Sequence, residues 1–201
     1  MATELKNIEV KGVKIPIIYE HNTQLPLFYV QISFKGAGGI NNGKLYGLSE
    51  ITSAILNEGT KKLGSTRFSQ QLEQKALSLD VKSGLETIRF TLSGTAKEYQ
   101  EGIKYLKDLI KDPNFTPGAL KKVKQIALNS LLERENNFDY QAGKNLNAIL
   151  FKNTPLEYPL SGTKETLKKI TLRNIETFYK NSLDYIIELN KKGIFISEGH
   201  S

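Results

Sequence analysis

Residues 46–62 read YGLSEITSAILNEGTKK. Leu48, Ile51, Ile55 and Leu56 recur at helical spacing and Gly59 closes the run, which predicts a short amphipathic helix. A second face of that helix carries Glu50, Ser53, Ala54 and Asn57 at i, i+3, i+4 and i+7. A hydrolytic zinc helix needs nitrogen or oxygen ligands four residues apart, with a carboxylate between them as base for the metal-bound water. Glu50 and Ala54 have the ligand spacing, but alanine has no donor atom. Ser53 stands where the base would be, and a hydroxyl is too weakly basic to take a proton near neutral pH. The helix therefore has the spacing of a metal site without its chemistry.

Outward from this helix, the hydrophobic period switches several times. The stretch 28–36, FYVQISFKG, places Phe28, Val30, Ile32 and Phe34 on one side of a strand, and EVKGVKIPIIYEH, 9–21, reads as a hairpin turning near Gly12. GAGGINNGKLYG, 36–47, lacks the spacing of a phosphate-binding or dinucleotide loop, so its glycines read as turn residues. A helix is expected from about Ser65, followed by a second hairpin with Leu77, Leu79, Val81, Ile88, Phe90 and Leu92 on one face. Beyond it the chain reads as mainly helical. Tyr99, Ile103, Leu106 and Ile110 share a helical face, Thr116-Pro117 supplies a cap and first-turn proline for a helix to about Arg134, and Asp139 is placed to cap another. The last helix, TLRNIETFYKN, is expected to lead into a strand, DYIIEL, 184–189. The expectation is one α+β domain over 1–201, a largely antiparallel sheet packed with helices.

Composition narrows the function classes. The net charge is +7, but Lys61-Lys62, Lys121-Lys122 and Lys168-Lys169 fall in separate segments and no nucleic-acid module is present, so nucleic-acid binding is not expected. The chain has no cysteine, which removes thiolate chemistry and leaves the redox compartment open. No apolar run is long enough to span a membrane, and MATELKNIEVKG lacks the apolar core of a signal peptide. The expectation is a soluble protein with no membrane partner, cytoplasmic by default or periplasmic after loss of a leader. Of the two histidines, His21 reads as a turn residue and His200 lies beside the terminus; with no Gly-x-Ser-x-Gly elbow, a serine triad is not supported. Glu58 reads as a solvated carboxylate near the helix end, and Ser130 shares an inward helical face with Val123 and Ala127.

GLSEITSAILNEGTKK resembles the metal helix of the insulinase and mitochondrial-processing-peptidase-like zinc peptidases, whose catalytic members carry an inverted His-x-x-Glu-His motif between a similar Gly-Leu and Gly-Thr. Glu50, Ser53 and Ala54 replace all three motif residues. The family's third ligand is a glutamate roughly 76 positions after the second histidine, and that spacing from Ala54 falls on Ser130. The resemblance extends through LPLFYVQISFKGAGG, LSGTAKEYQEGIKYLKDLIKDPNF and TPLEYPLSGTKETLKKITLRNIETFYKN, and the tail NKKGIFISEGHS departs from it.

This resemblance implies a unit of the kind the family uses in pairs, one holding zinc and another helping to enclose the substrate. With Glu50, Ser53, Ala54 and Ser130 at the motif positions, no catalytic residue, metal ligand or cofactor is expected here, and zinc is expected only in a motif-intact partner. The implied function is that of a non-catalytic subunit. It would pair as a homo- or heterodimer with a homologous peptidase-family protomer and help to hold peptide or unfolded polypeptide. One alternative is a zinc metallopeptidase whose site is completed by a further half or a paired chain; another is an assembly scaffold.

Overall fold

The computed structural model describes residues 3–10, 12–21 and 24–191. Strands β1 (Thr3–Val10) and β2 (Val13–Glu20) form an antiparallel hairpin, with Gly12 in the left-handed region at φ +77°. Strand β3 (Leu27–Lys35) alternates strictly between exposed and half-buried residues, as its sequence period requires. It pairs antiparallel with β5 (Thr87–Thr95), which also pairs with β4 (Ser78–Ser83), giving the order β3-β5-β4. The sheet expected from the sequence is thus two antiparallel sheets, one of two strands and one of three.

Seven helices are described: α1 (Leu48–Leu56), α2 (Gly64–Gln74), α3 (Tyr99–Lys111), α4 (Pro117–Glu135), α5 (Phe138–Leu150), α6 (Lys164–Lys169) and α7 (Leu172–Lys191). The core lies between the three-stranded sheet and helices α1, α3, α6 and α7. Ile51, Ile55, Ile88, Phe90, Leu106, Leu167 and Ile175 are buried there to 1% exposure or less. Each such side chain contributes about 1.5–3 kcal/mol on burial. Edge-to-face pairs lock the sheet to its cover and to itself, Phe28 on Tyr99 at 5.2 Å and Phe34 on Phe90 at 5.9 Å between ring centroids.

Helix starts follow local hydrogen bonding. The Thr116 hydroxyl accepts from the Ala119 amide, with Pro117 in the first turn, as expected. The cap of α5 is Asn137, whose carboxamide oxygen accepts from the Tyr140 amide at 2.9 Å; Asp139 lies within the first turn instead. Segment 184–189 is part of α7 and not a strand. Its paired isoleucines favour a strand locally, but α7 contains neither glycine nor proline, so nothing halts helix propagation. His200 and the tail from Lys192 lie outside the described residues.

Two long-range contacts tie the helical layer together. Thr166 Oγ1 donates to the Tyr46 carbonyl at 2.7 Å, and the Tyr179 hydroxyl donates to the Ile110 carbonyl at 2.7 Å near the end of α3. Burial raises the Tyr179 pKa above the ordinary phenol value. Its folded pKa exceeds its unfolded one, so its contribution to stability is complete below about pH 10 and fades as pH rises toward the folded value. Alkaline denaturation curves should therefore show less pH dependence for Tyr179→Phe than for the wild type. A second pair of variants checks the packing near Tyr46. Gly162 has φ +78° and a Cβ there would run into the Tyr46 carbonyl, whereas Gly143 is helical with open space around it. Gly162→Ala should destabilise by upwards of about 1 kcal/mol and Gly143→Ala should stabilise by about 0.5–1 kcal/mol, read from urea midpoints.

Candidate functional site

Helix α1 begins at Gly47, whose φ of +93° and close approach to Leu167 and the Ser161 carbonyl leave no room for a side chain. A glycine cannot cap with a side chain, and the missing acceptor comes from the preceding loop: Asn42 Oδ1 accepts from the Ser49 amide at 2.8 Å. At the other end, Asn114 Nδ2 donates to the Glu58 carbonyl at 3.0 Å and the Asn114 amide to the Gly59 carbonyl at 2.9 Å. Glu58 does not extend into solvent as its place near a helix end suggested. Its side chain is 11% exposed and its carboxylate meets Lys122 Nζ of α4 at 2.8 Å. Lys122 also reaches Ser65 Oγ at 3.4 Å, so the pair links α1, α2 and α4.

The face bearing the ligand spacing is divided between solvent and packing. Glu50 is exposed, Ala54 is half-buried against the core, and Ser53 is 4% exposed. Ser53 Oγ donates to the Glu50 carbonyl at 2.9 Å, one turn back, so its proton is engaged by the helix backbone. Ser130 is half-buried on α4, which packs against α1. This donor set does not fit a zinc ion. It offers one carboxylate, one methyl group and two hydroxyls, where a catalytic zinc takes three strong nitrogen, oxygen or sulfur ligands. Among the described residues, no three His, Cys, Asp or Glu side chains converge. His21 lies at the end of the β1–β2 hairpin, its Nδ1 3.3 Å from the Tyr19 hydroxyl.

Asn57, the fourth residue of this face, makes a contact that helical spacing does not predict. Its Nδ2 donates to the Val81 carbonyl at 2.8 Å and its Oδ1 accepts from the Val81 amide at 2.9 Å, clamping α1 to β4. The available signal was an asparagine at the end of an amphipathic helix with a hairpin following, which is too common to single out a partner.

The family model described as Insulinase (Peptidase family M16) matches residues 17–164. The chain belongs to the insulinase family. It is 43% identical over 191 residues to the "non-peptidase homolog YmxG" of Helicobacter pylori, covering 94% of this chain and 43% of that protein. It is 20% identical over 142 residues to the mitochondrial-processing peptidase subunit beta of Blastocladiella emersonii, covering 71% of this chain and 30% of that one. The chain thus spans less than half the length of these curated relatives. Among solved structures, an inactive M16 peptidase domain from Pseudomonas fluorescens superposes with a TM-score of 0.80 at 20% identity, over 88% of this chain and 43% of the other. The periplasmic protease PqqL from Escherichia coli superposes at 0.76 and 13% identity, over 94% and 22%. These likenesses establish an insulinase-family α+β fold.

A gain-of-function series tests the alignment of this insulinase-family chain. Glu50→His, Ser53→Glu, Ala54→His and Ser130→Glu introduced together should create zinc binding, and the three helix changes alone should bind only weakly for want of the third protein ligand. Isothermal titration with zinc reads both; a folded quadruple variant that takes up no zinc would show that the positions are misassigned.

Proposed function

We propose that this chain is a non-catalytic insulinase-family unit that helps a motif-intact homologue hold peptide substrates. The observation that carries this reading is an insulinase-family fold whose Glu50, Ser53, Ala54 and Ser130, read here as the counterparts of the metal motif, offer no donor set for zinc. Similarity over nearly the whole chain to a protein named as a non-peptidase homologue supports it.

A second observation favours association. The apolar residues Phe138, Leu146, Ile149 and Leu150 of α5 are all exposed, Phe138 at 91%, and fall on adjoining parts of one helical surface. Exposed apolar side chains gathered on one helical surface favour an interaction face. The partner in this reading is another insulinase-family protomer that supplies the zinc. The contribution of this unit is to position the peptide, through main-chain hydrogen bonds that tolerate many sequences, and its net charge of +7 favours acidic peptides.

Co-expression with a motif-intact homologue, followed by size-exclusion chromatography and a peptidase assay, tests the proposal. A stable complex with an altered cleavage rate or selectivity is the expected result, and Phe138→Ser combined with Ile149→Glu should weaken that complex while leaving the fold intact by circular dichroism. Absence of both a complex and any change in the homologue's cleavage would end this reading.

A further inference from the structure

Three asparagine carboxamides, those of Asn42, Asn57 and Asn114, hold α1 in place. The residue that follows each decides what else it can do. Asn57 precedes Glu58 and Asn114 precedes Phe115, whereas Asn42 stands in the one Asn-Gly dipeptide of the chain. In an Asn-Gly pair the following main-chain nitrogen can attack the side-chain carbonyl, because glycine puts no Cβ in its path. Gly43 is exposed, in the left-handed region at φ +56°, with open space where a side chain would be.

The fold holds Asn42 away from this reaction. It is 5% exposed, and its Oδ1 accepts from the Ser49 amide at 2.8 Å. Its backbone lies at φ −64° and ψ −13°. At that ψ the Gly43 nitrogen nearly eclipses the Asn42 nitrogen, while attack requires the Cα–C bond to turn until the Gly43 nitrogen lies over Cβ. Both the bond to Ser49 and the backbone angle must be given up before a ring can close, which amounts to releasing the N-terminal end of α1.

We propose that Asn42-Gly43 is a self-modification site gated by α1: when that end of the helix opens, the chain converts Asn42 to isoaspartate and cannot close as before. The step needs only water. The Gly43 nitrogen bonds to Cγ, the Cγ–Nδ2 bond breaks, and ammonia leaves with the proton of the Gly43 amide. The cyclic imide so formed is then hydrolysed on either side. Cleavage between the Gly43 nitrogen and Cγ gives aspartate, which keeps an oxygen for the Ser49 amide and adds negative charge at the start of a helix. Cleavage at the main-chain carbonyl gives isoaspartate, whose main chain runs through Cβ and is longer by a carbon. Its free carboxylate hangs directly from Cα on a shorter arm, and the amide of the fully buried Ser49 loses its acceptor. Opening of α1 is thereby made permanent.

The test uses the full chain, aged at mildly alkaline pH with and without urea, and peptide mapping with enzymatic methylation of isoaspartate as the probe. The peptide containing Asn42 should gain isoaspartate about tenfold or more faster in urea than in the folded state, since the reaction follows the open population. Leu48→Ala loosens the start of α1 and should raise the folded-state rate while leaving the rate in urea unchanged; subdenaturing urea replaces it as the means of opening if that variant does not fold. Gly43→Asp, at a positive φ that aspartate tolerates, should suppress conversion even in urea. Chains enriched in isoaspartate should show faster hydrogen exchange at the Ser49 amide and a lower urea midpoint, whereas Asn42→Asp should keep both near the wild type, which separates the isomer from the charge. The proposal is overturned if folded and unfolded chains convert at the same rate, if isoaspartate accumulates first at another asparagine, or if the converted chain keeps the wild-type exchange at Ser49.

Discussion

The structure depends on burying α1 without stranding the polar groups at its ends. Leu48, Ile51, Ile55 and Leu56 are all in the core, so both helix termini are carried inward with them. The first amides and last carbonyls of a helix have no partners within it, and leaving such groups dry costs about 1–3 kcal/mol each. Asn42 of the preceding loop accepts from the Ser49 amide at the N-terminal end and Asn114 donates to the Glu58 carbonyl just past the C-terminal end, while the carboxamide of Asn57, at the end of the helix itself, satisfies the backbone of Val81 in β4. The Glu58–Lys122 pair then joins the same end to α4. The loop, the hairpin and two later helices are thereby held in register by one nine-residue helix.

This arrangement separates shape from chemistry. The side chains that fix α1 are its apolar stripe and the amides around its ends, while Glu50 and Ala54 lie toward solvent or at the margin of the core. Residues at those two positions can therefore change with little effect on packing. Ser53 is the exception, since it is buried, but its hydroxyl is satisfied within the helix. The form of α1 therefore rests on its apolar stripe and not on the side chains at positions 50 and 54.

Much of the fold was legible because it obeys local periods. The alternation of Phe28, Val30, Ile32 and Phe34, the two halves of the β4–β5 hairpin, and the Thr116-Pro117 start each express a rule that acts over a few residues. The shared helical surface of Glu50, Ser53 and Ala54 was legible for a similar reason, since helical spacing is written in sequence. What escaped was decided by neighbours far along the chain. Glu58 reads as exposed until Lys122 is placed beside it, and Asn57 reads as an ordinary helix-end residue until β4 arrives. The 184–189 segment was misread because two adjacent isoleucines suggest a strand, while the helix entering from Leu172 continues through them. Asp139 and Asn137 are both competent caps, and the choice between them turned on where the preceding helix ended.

The register of β3 also orders assembly. Leu27 sits opposite Thr95, whereas β4 and β5 are joined by a tight connection, Gly84–Glu86, and pair from Ser83 with Ile88 outward. Closing the loop of about 50 residues between Lys35 and Thr87 costs more chain entropy than closing a short hairpin, so the local hairpin can form early and β3 must wait. During that interval β4–β5 is a two-stranded ribbon with both edges bare, the condition in which chains pair wrongly with one another. Helix α1 precedes the hairpin in the sequence. In the folded chain the Asn57 carboxamide takes up the backbone of Val81 in the middle of the β4 edge and so blunts that edge against pairing with another chain.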